Sequence, residues 1–247
     1  MVTSAPSRLS LTRVDVATSS SDLAWQAAGD GAASGSAFLV GEQTAGRGRR
    51  GAAWSSAPGG MYLSVLLRPA VSPLAFSGLS FVAALAIREE LAARLVSCEV
   101  RLKWPNDILV GGGKICGILI EARGDAVVIG TGVNIAPVTP VASARLPATS
   151  VHECGGHGVT PLDLAESYGR NLLDRVDAYA RTGFEAVRLE WLHHCAHMNG
   201  QVRVSTGADV VEGLFVDLDA DGALVLRDDV GHRSRITTGD VELMGRP

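Results

Sequence analysis

The 247 residues carry 22 basic and 26 acidic side chains, a formal net charge of −4, so the chain lacks the broad basic field of a dedicated nucleic-acid binder. Apolar residues make up 47%, ample for a core, yet no apolar run reaches the roughly 18 residues a membrane span needs. At roughly 150 residues per domain the length predicts one or two domains.

Met1 to Ser10 are polar and contain proline, without the basic head and apolar run of a secretory signal, which predicts a cytoplasmic protein. Asp22 to Ala28 predict a short helix carrying Leu23 and Trp25 inward, and a glycine and serine loop covers 29 to 36. Strands are predicted at Ala37 to Val40 and Met61 to Leu67, flanking an arginine-rich loop. Ser72 and Pro73 then open a long apolar-periodic helix from about Leu74 to Leu95.

Short strands follow at Val100 to Trp104 and Ile108 to Val110, then a hairpin of Ile115 to Ala122 and Ala126 to Asn134 turning at Arg123-Gly124-Asp125. That tripeptide reads as a tight turn rather than an adhesion signal. Loops fill 136 to 150. Thr160-Pro161-Leu162-Asp163 supplies an N-cap, an N1 proline and a first-turn acid for a helix to about Arg181, and another runs from Phe184 to about His197. From Gln201 short alternating strands turn at Thr206-Gly207, Asp221-Gly222 and Gly231, the spacing of a small β-barrel. The domains are therefore predicted as 1–198 and 199–247.

Residues 43 to 51 read Gln-Thr-Ala-Gly-Arg-Gly-Arg-Arg-Gly, with three arginines and three glycines in six consecutive positions. Guanidinium groups grip phosphate or carboxylate oxygens bidentately, and glycine lets backbone N–H groups approach the same anion. Gly46, Gly48 and Gly51 match G-x-G-x-x-G, but a dinucleotide loop opens a helix, whereas Ala52 to Gly60 is a poor helix. Gly113-Lys114 is no phosphate loop of the Walker kind, because Ile115 replaces the required hydroxyl and Ile108 the first glycine.

Lys103-Trp104-Pro105-Asn106-Asp107 places a cation, an indole, a rigid turn and a polar pair at a strand end, where such groups converge on ligands. Asp107 is a candidate magnesium ligand or a group orienting an attacking amine, with an Asx turn as the plain alternative. Lys114 is the single amine at the mouth of an apolar strand, and Gly117 leaves room for a ligand on the backbone. In Gly132-Val133-Asn134-Ile135 the amide is suited to a purine edge. His193 and His197 stand four apart and are weighed, with Cys154 and His157, as a metal site, but the spacing fits no familiar zinc motif. Cys98, Cys116, Cys154 and Cys195 form no CxxC pair and are expected to be reduced thiols, mostly buried.

In order, GRGRRG, KWPND, GGKICGILIE and GVNI closely resemble the biotin protein ligase family over about residues 12 to 245. The resemblance implies an α+β catalytic domain of mixed sheet and helices, related to class II aminoacyl-tRNA synthetases and lipoate ligases, followed by a small SH3-like barrel. It implies that biotin and ATP, with Mg2+, give biotinyl-5′-AMP and pyrophosphate, and that a lysine of a biotin carboxyl carrier domain then displaces AMP. Arg47, Arg49, Lys103, Asp107 and Lys114 would be catalytic. Thr18, Ser19, Ser20, Gln43, Gly46, Arg47, Gly48, Arg49, Lys114 and Gly117 would hold biotin. Arg49, Arg50, Trp54, Lys103, Asn106, Lys114 and Asn134 would hold ATP or the adenylate, with Trp54 either clamping the nucleotide or burying against its own loop.

The family's Ser-Thr-Asn is here Thr18-Ser19-Ser20, open by one residue through Ser21: the hydroxyls survive and the amide does not. With about a dozen residues before the catalytic region, a ligase without DNA binding is expected, soluble, and a monomer or weak homodimer. A lipoate or octanoyl transferase and a non-catalytic nucleotide- or nucleic-acid-binding module are the competing readings.

Overall fold

The structure, a computed structural model, describes residues 8–139, 146–207 and 209–244, so Met1 to Ser7 and part of the predicted 136–150 loop lie outside the described residues. Strands β1 (Ser10–Ala17), β2 (Ser36–Gln43), β3 (Met61–Leu67), β4 (Val100–Lys103), β5 (Asp107–Val110), β6 (Gly113–Arg123) and β7 (Ala126–Val133) form one sheet in the order β1-β2-β3-β7-β6-β5-β4. Only β1 and β2 are parallel, so the sheet is mixed. The predicted hairpin of β6 and β7 is central to it.

Strand β3 is buried along its whole length, because helices cover both faces. Met61, Leu63, Val65 and Leu67 enter the main core, shared with α2 (Leu79–Arg94) and α3 (Pro161–Thr182). Leu66 turns to the opposite face and packs with Ala24 of α1 (Ser20–Gly29). This period-2 partition leaves Ser64 on the α1 side, in reach of Ser20 and Ser21.

The predicted Leu74–Leu95 helix is divided. Pro73–Gly78 form a 3-10 turn, and the α-helix begins at Leu79. Tyr179 explains the break: its hydroxyl donates to Ala75 O at 2.8 Å and lies over Gly78 where a Cβ would stand, so only glycine fits.

Helix α4 (Phe184–His193) ends four residues before the predicted limit, with His194 at its cap. Cys195 then bridges to Leu102 beside the sheet edge. Strands β8 (Gln201–Ser205), β9 (Val210–Leu218), β10 (Leu224–Arg227), β11 (Arg233–Ile236) and β12 (Asp240–Leu243) form a second, antiparallel sheet in the order β11-β10-β9-β8-β12, a small barrel-like unit.

The second sheet is fused to the first rather than tethered. Val202, Val204, Phe215, Leu224 and Leu226 belong to the same core as α2 and α3. Trp104, 1% exposed, donates its indole N–H to Gly222 O at 3.0 Å. All four cysteines are free; Cys116 and Cys195 are buried, Cys98 and Cys154 half-buried.

Candidate active site

Ser19 caps α1 by accepting the Ser21 N–H, which directs the first turn of the helix at a cavity of about 420 Å³ beneath the arginine loop. At the helix end Ser20 and Ser21 line the cavity, their hydroxyls 2.8 and 3.2 Å from that of Ser64. A side chain on Gly130 would crowd these hydroxyls. Gln43 ties helix to loop: its carbonyl accepts the Ser20 N–H at 2.7 Å, and its amide donates to Ser56 Oγ at 2.7 Å.

The loop folds on itself. Arg47 and Ala53 form a β-bridge, Trp54 N–H donates to Gly46 O, and Gly48 N–H donates to Ala52 O at 2.7 Å. Arg50 is held at φ 55, ψ 29, the left-handed region that non-glycine residues occupy only when neighbours over-determine it. Those neighbours come from the second sheet. Arg50 donates to Thr238 Oγ1 and Thr206 O and pairs with Asp240 at 3.7 Å, while Arg49 donates to Thr238 Oγ1, Gly239 O and Asn106 Oδ1. Burial pulls the Arg49 guanidinium below its usual range, with Asp240 opposing. Arg47 pairs with Asp22 at 2.8 Å, which holds that carboxyl below the usual range and raises the guanidinium.

Lys114 reaches in from β6. Its ammonium lies 2.6 Å from Asp107 Oδ1 and 5.1 Å from the Trp54 ring centroid, a cation–π contact. Lys103 takes the other oxygen, Oδ2, at 3.5 Å; it is 5% exposed, and burial pulls its ammonium down. Tyr62 also lines the cavity and donates to Ala57 O at 2.7 Å; burial raises its phenol to about 12.

A profile described as the "Biotin/lipoate A/B protein ligase family" matches residues 15–134, and one described as "Biotin protein ligase C terminal domain" matches 197–244. The biotin–[acetyl-CoA-carboxylase] ligase of Paracoccus denitrificans is 38% identical over 213 residues, covering 81% of this chain and 88% of that protein. The chain belongs to the biotin protein ligase family. Biotin protein ligase from Aquifex aeolicus, solved with biotin and ATP, superposes with a TM-score of 0.82 over 95% of this chain and 98% of its own, and at 23% identity shows the shared fold. The ligase from Leishmania major, solved with biotin, has a TM-score of 0.68 and 27% identity, covering 92% and 98%.

Of the residues expected from this ligase family's motifs, Ser19, Ser20, Gln43, Arg47, Gly48, Arg49, Arg50, Trp54, Asn106, Asp107, Lys114 and Gly117 line the one cavity. Four do not. Thr18 is exposed and donates to Asp22 Oδ2 at 3.0 Å. Gly46 serves the packing of the loop, since a Cβ there would meet Ser56 Oγ and Trp54 O. Lys103 is buried behind Asp107. Asn134 lies outside the cavity lining and donates its amide to Thr149 O at 3.0 Å and Lys114 O at 3.4 Å, pinning residues 148–150 to β6.

The space over Gly117 holds the ring of the half-buried Trp54, which lies across Gly117 and Gly132 in the cavity wall. Its indole N–H is buried without a partner among the described residues. Asp107 presents one carboxylate oxygen to the Lys114 ammonium and the other to Lys103, and no cluster of three His, Cys, Asp or Glu that could hold a metal occurs among the described residues. Trp104 faces the second sheet, not the cavity. Sequence reasoning missed Ser64, Tyr62 and Asp240, which no motif marks.

His193 and His197 do not share a helical face, because the helix ends at His193. His197 is 7% exposed, its Nδ1 lacks a partner among the described residues, and burial, with Lys103 adding, pulls its imidazole from 6.5 to about 4. The unfolded chain therefore takes up a proton that the folded chain refuses, and stability falls as pH drops from 6.5 toward about 4. His197→Gln is expected to flatten that loss, read as the difference in urea midpoint between about pH 7.5 and pH 5; an undiminished difference contradicts it.

Proposed function

We propose that the cavity beneath the arginine loop is where this biotin protein ligase joins biotin to AMP. The protein is an ATP-dependent ligase: it activates biotin as biotinyl-5′-AMP with release of pyrophosphate, then transfers the biotinyl group to a lysine of a biotin carboxyl carrier domain with release of AMP. The observation that carries the placement is that Arg47, Arg49 and Arg50 of the loop and Lys114 of β6 line one cavity whose far end holds serine hydroxyls.

In the first step a carboxylate oxygen of biotin attacks the α-phosphorus of ATP, and the bond to the pyrophosphate oxygen breaks. An anion is being joined to a polyanion, so positive charge fixed in place before the reaction lowers the barrier. Lys114 stands at the reacting phosphate, its position set by Asp107. Arg49 and Arg50, anchored on the second sheet, face the departing pyrophosphate, and Arg47 closes the loop end near Asp22. Magnesium arrives with the nucleotide, which supplies phosphate oxygens as ligands, and no role is assigned to Asp107 in holding it.

Ser20 and Ser21, backed by Ser64, are the groups suited to the ureido ring. Their polar cluster favours biotin over the dithiolane of lipoate or an octanoyl chain, neither of which offers matching hydrogen-bonding groups. The proposal extends to two units, 1–198 and 199–247, acting in the cytoplasm without DNA, as a monomer or weak homodimer. Net charge of −4 supports the absence of DNA binding, and no helix among the described residues is long and apolar enough to cross a membrane.

The test is biotin-dependent exchange of pyrophosphate into ATP, followed by intact mass of an apo carrier domain after incubation with biotin and magnesium-ATP. One biotinyl increment on the carrier is expected. A folded protein that catalyses no exchange sinks the reading, and lipoate outcompeting biotin replaces it with the lipoate alternative.

A further inference from the structure

The arginine loop is tied down on two sides, and the ties differ in kind. On one side Arg49 and Arg50 rest on neutral oxygens of Asn106, Thr206, Thr238 and Gly239 at 3.1 to 3.4 Å, with Asp240 3.7 Å from Arg50. Phosphates attract guanidinium groups more strongly than such oxygens do. On the other side the loop runs beside the start of α1, where the Thr44 and Ala45 N–H groups donate to Ala17 O and Thr18 O at 3.0 and 2.9 Å. Arg47 extends this seam with an ion pair, its Nη2 lying 2.8 Å from Asp22 Oδ1.

Asp22 is held ready for that contact. It stands in the first turn of α1, next to the cavity-lining Ser21, and its other oxygen accepts the Thr18 hydroxyl at 3.0 Å, so both oxygens are engaged. The hydrogen bond from Arg47 is the largest influence on the carboxyl and keeps it below its usual range. The same Arg47 nitrogen faces Glu121 of β6, lying 3.9 Å from Oε2, a buried oxygen without a hydrogen-bond partner among the described residues. Two carboxylates thus offset one guanidinium before any substrate enters. Neither of them lines the reaction cavity, and a guanidinium so neutralised gains less from a phosphate than Arg49 or Arg50 does.

We infer that Asp22 is a positioning residue of the ligase reaction: acting through Arg47, it keeps the arginine loop seated on α1 while the adenylate waits for its acceptor, and so limits loss of that intermediate to water. The inference rests on the placement of the reaction given above. Its effect falls after the first step, when pyrophosphate has left and Arg49 and Arg50 no longer have those phosphates to hold. In the loss reaction a water oxygen bonds to the acyl carbon, the acyl carbon–oxygen bond to phosphate breaks, biotin and AMP leave, and the protons of the water pass to solvent. A seated loop excludes that water.

The experiment follows AMP formed from ATP with biotin present and no acceptor, alongside biotin-dependent ATP–pyrophosphate exchange. It compares the unsubstituted protein with Asp22→Ala, Asp22→Glu, Arg47→Gln and the double variant Asp22→Ala/Arg47→Gln. Asp22→Ala is expected to raise acceptor-free AMP formation about three- to fivefold, the scale of a partly exposed ion pair, while exchange at saturating biotin stays within about twofold. Asp22→Glu keeps the carboxylate and is expected to return AMP formation to within about twofold of the unsubstituted rate. Added to Arg47→Gln, Asp22→Ala is expected to change the rate by less than about 1.5-fold, because its partner is already gone. Unchanged AMP formation in Asp22→Ala overturns the inference. So does an equal rise with and without Arg47, which would trace the effect to the lost first-turn acid of α1. An unsubstituted protein without exchange fails at the earlier step and sinks the proposed function instead.

Discussion

Lys114→Ala is expected to lower biotin-dependent ATP–pyrophosphate exchange about 10²–10³-fold, the usual cost of deleting one preorganised group at a centre of developing charge. Lys114 is the cation best placed for that role. It projects from β6 into the middle of the cavity, is fixed by Asp107 at 2.6 Å on one side and by the Trp54 ring on the other, and adjoins Gly117. Arg49 and Arg50 are spread over neutral acceptors of Asn106, Thr206, Thr238 and Gly239 at 3.1 to 3.4 Å, with Asp240 3.7 Å from Arg50, contacts that a polyphosphate can replace. The loss should fall mainly on kcat, with biotin KM changed little, because the serine end of the cavity is untouched. Asp107 keeps Lys103, so the variant should remain folded and its far-UV spectrum unchanged. A variant retaining more than about a tenth of the exchange rate would refute the assignment, being a loss of under about 1.4 kcal/mol.

How much of this was legible in the sequence follows from which physics is local. Strand β3, the β6–β7 hairpin and α3 were readable because apolar period, turn glycine and capping residues are written within each segment. No strand was expected over residues 10–17, where β1 lies. It is an edge strand with mostly exposed side chains, held by parallel pairing to β2, and that pairing leaves no mark on Ser-Leu-Thr-Arg-Val-Asp-Val-Ala. The same division holds in the site. Arg47, Arg49 and Lys114 announce themselves as charge in glycine-rich or apolar surroundings, and they do converge. Ser64 sits unmarked in an apolar strand, and Asp240 comes from the other end of the chain, so only the fold reveals them. Residue type alone could not fix the contacts of Asn134 and Trp54, because an amide or indole suited to a ligand is equally suited to backbone carbonyls or to flat glycine backbone.

Trp104→Ala should have the largest effect on stability, about 3–5 kcal/mol for truncating a buried tryptophan, a large share of a typical total of about 5–15 kcal/mol. The residue stands between the two sheets: its ring is in the shared core, and its indole N–H satisfies Gly222 O in the β9–β10 turn. Phe81 packs against the same glycine, which has φ +85 and no room for a Cβ, so that turn cannot shift to refill the hole. Trp104→Phe retains most of the packing and forfeits the hydrogen bond, and is expected to cost less than half as much. Function should follow stability here for a geometric reason. Thr238, Gly239 and Asp240 hold Arg49 and Arg50 over the cavity only while the second sheet is seated, so Trp104→Ala should raise the KM for ATP even where the protein is still folded. Urea unfolding monitored at the remaining tryptophans, alongside exchange kinetics at low urea, checks both halves. An unchanged urea midpoint would show that the sheets are held together elsewhere, and a lowered midpoint with normal ATP KM would show that the arginine loop does not depend on the second sheet.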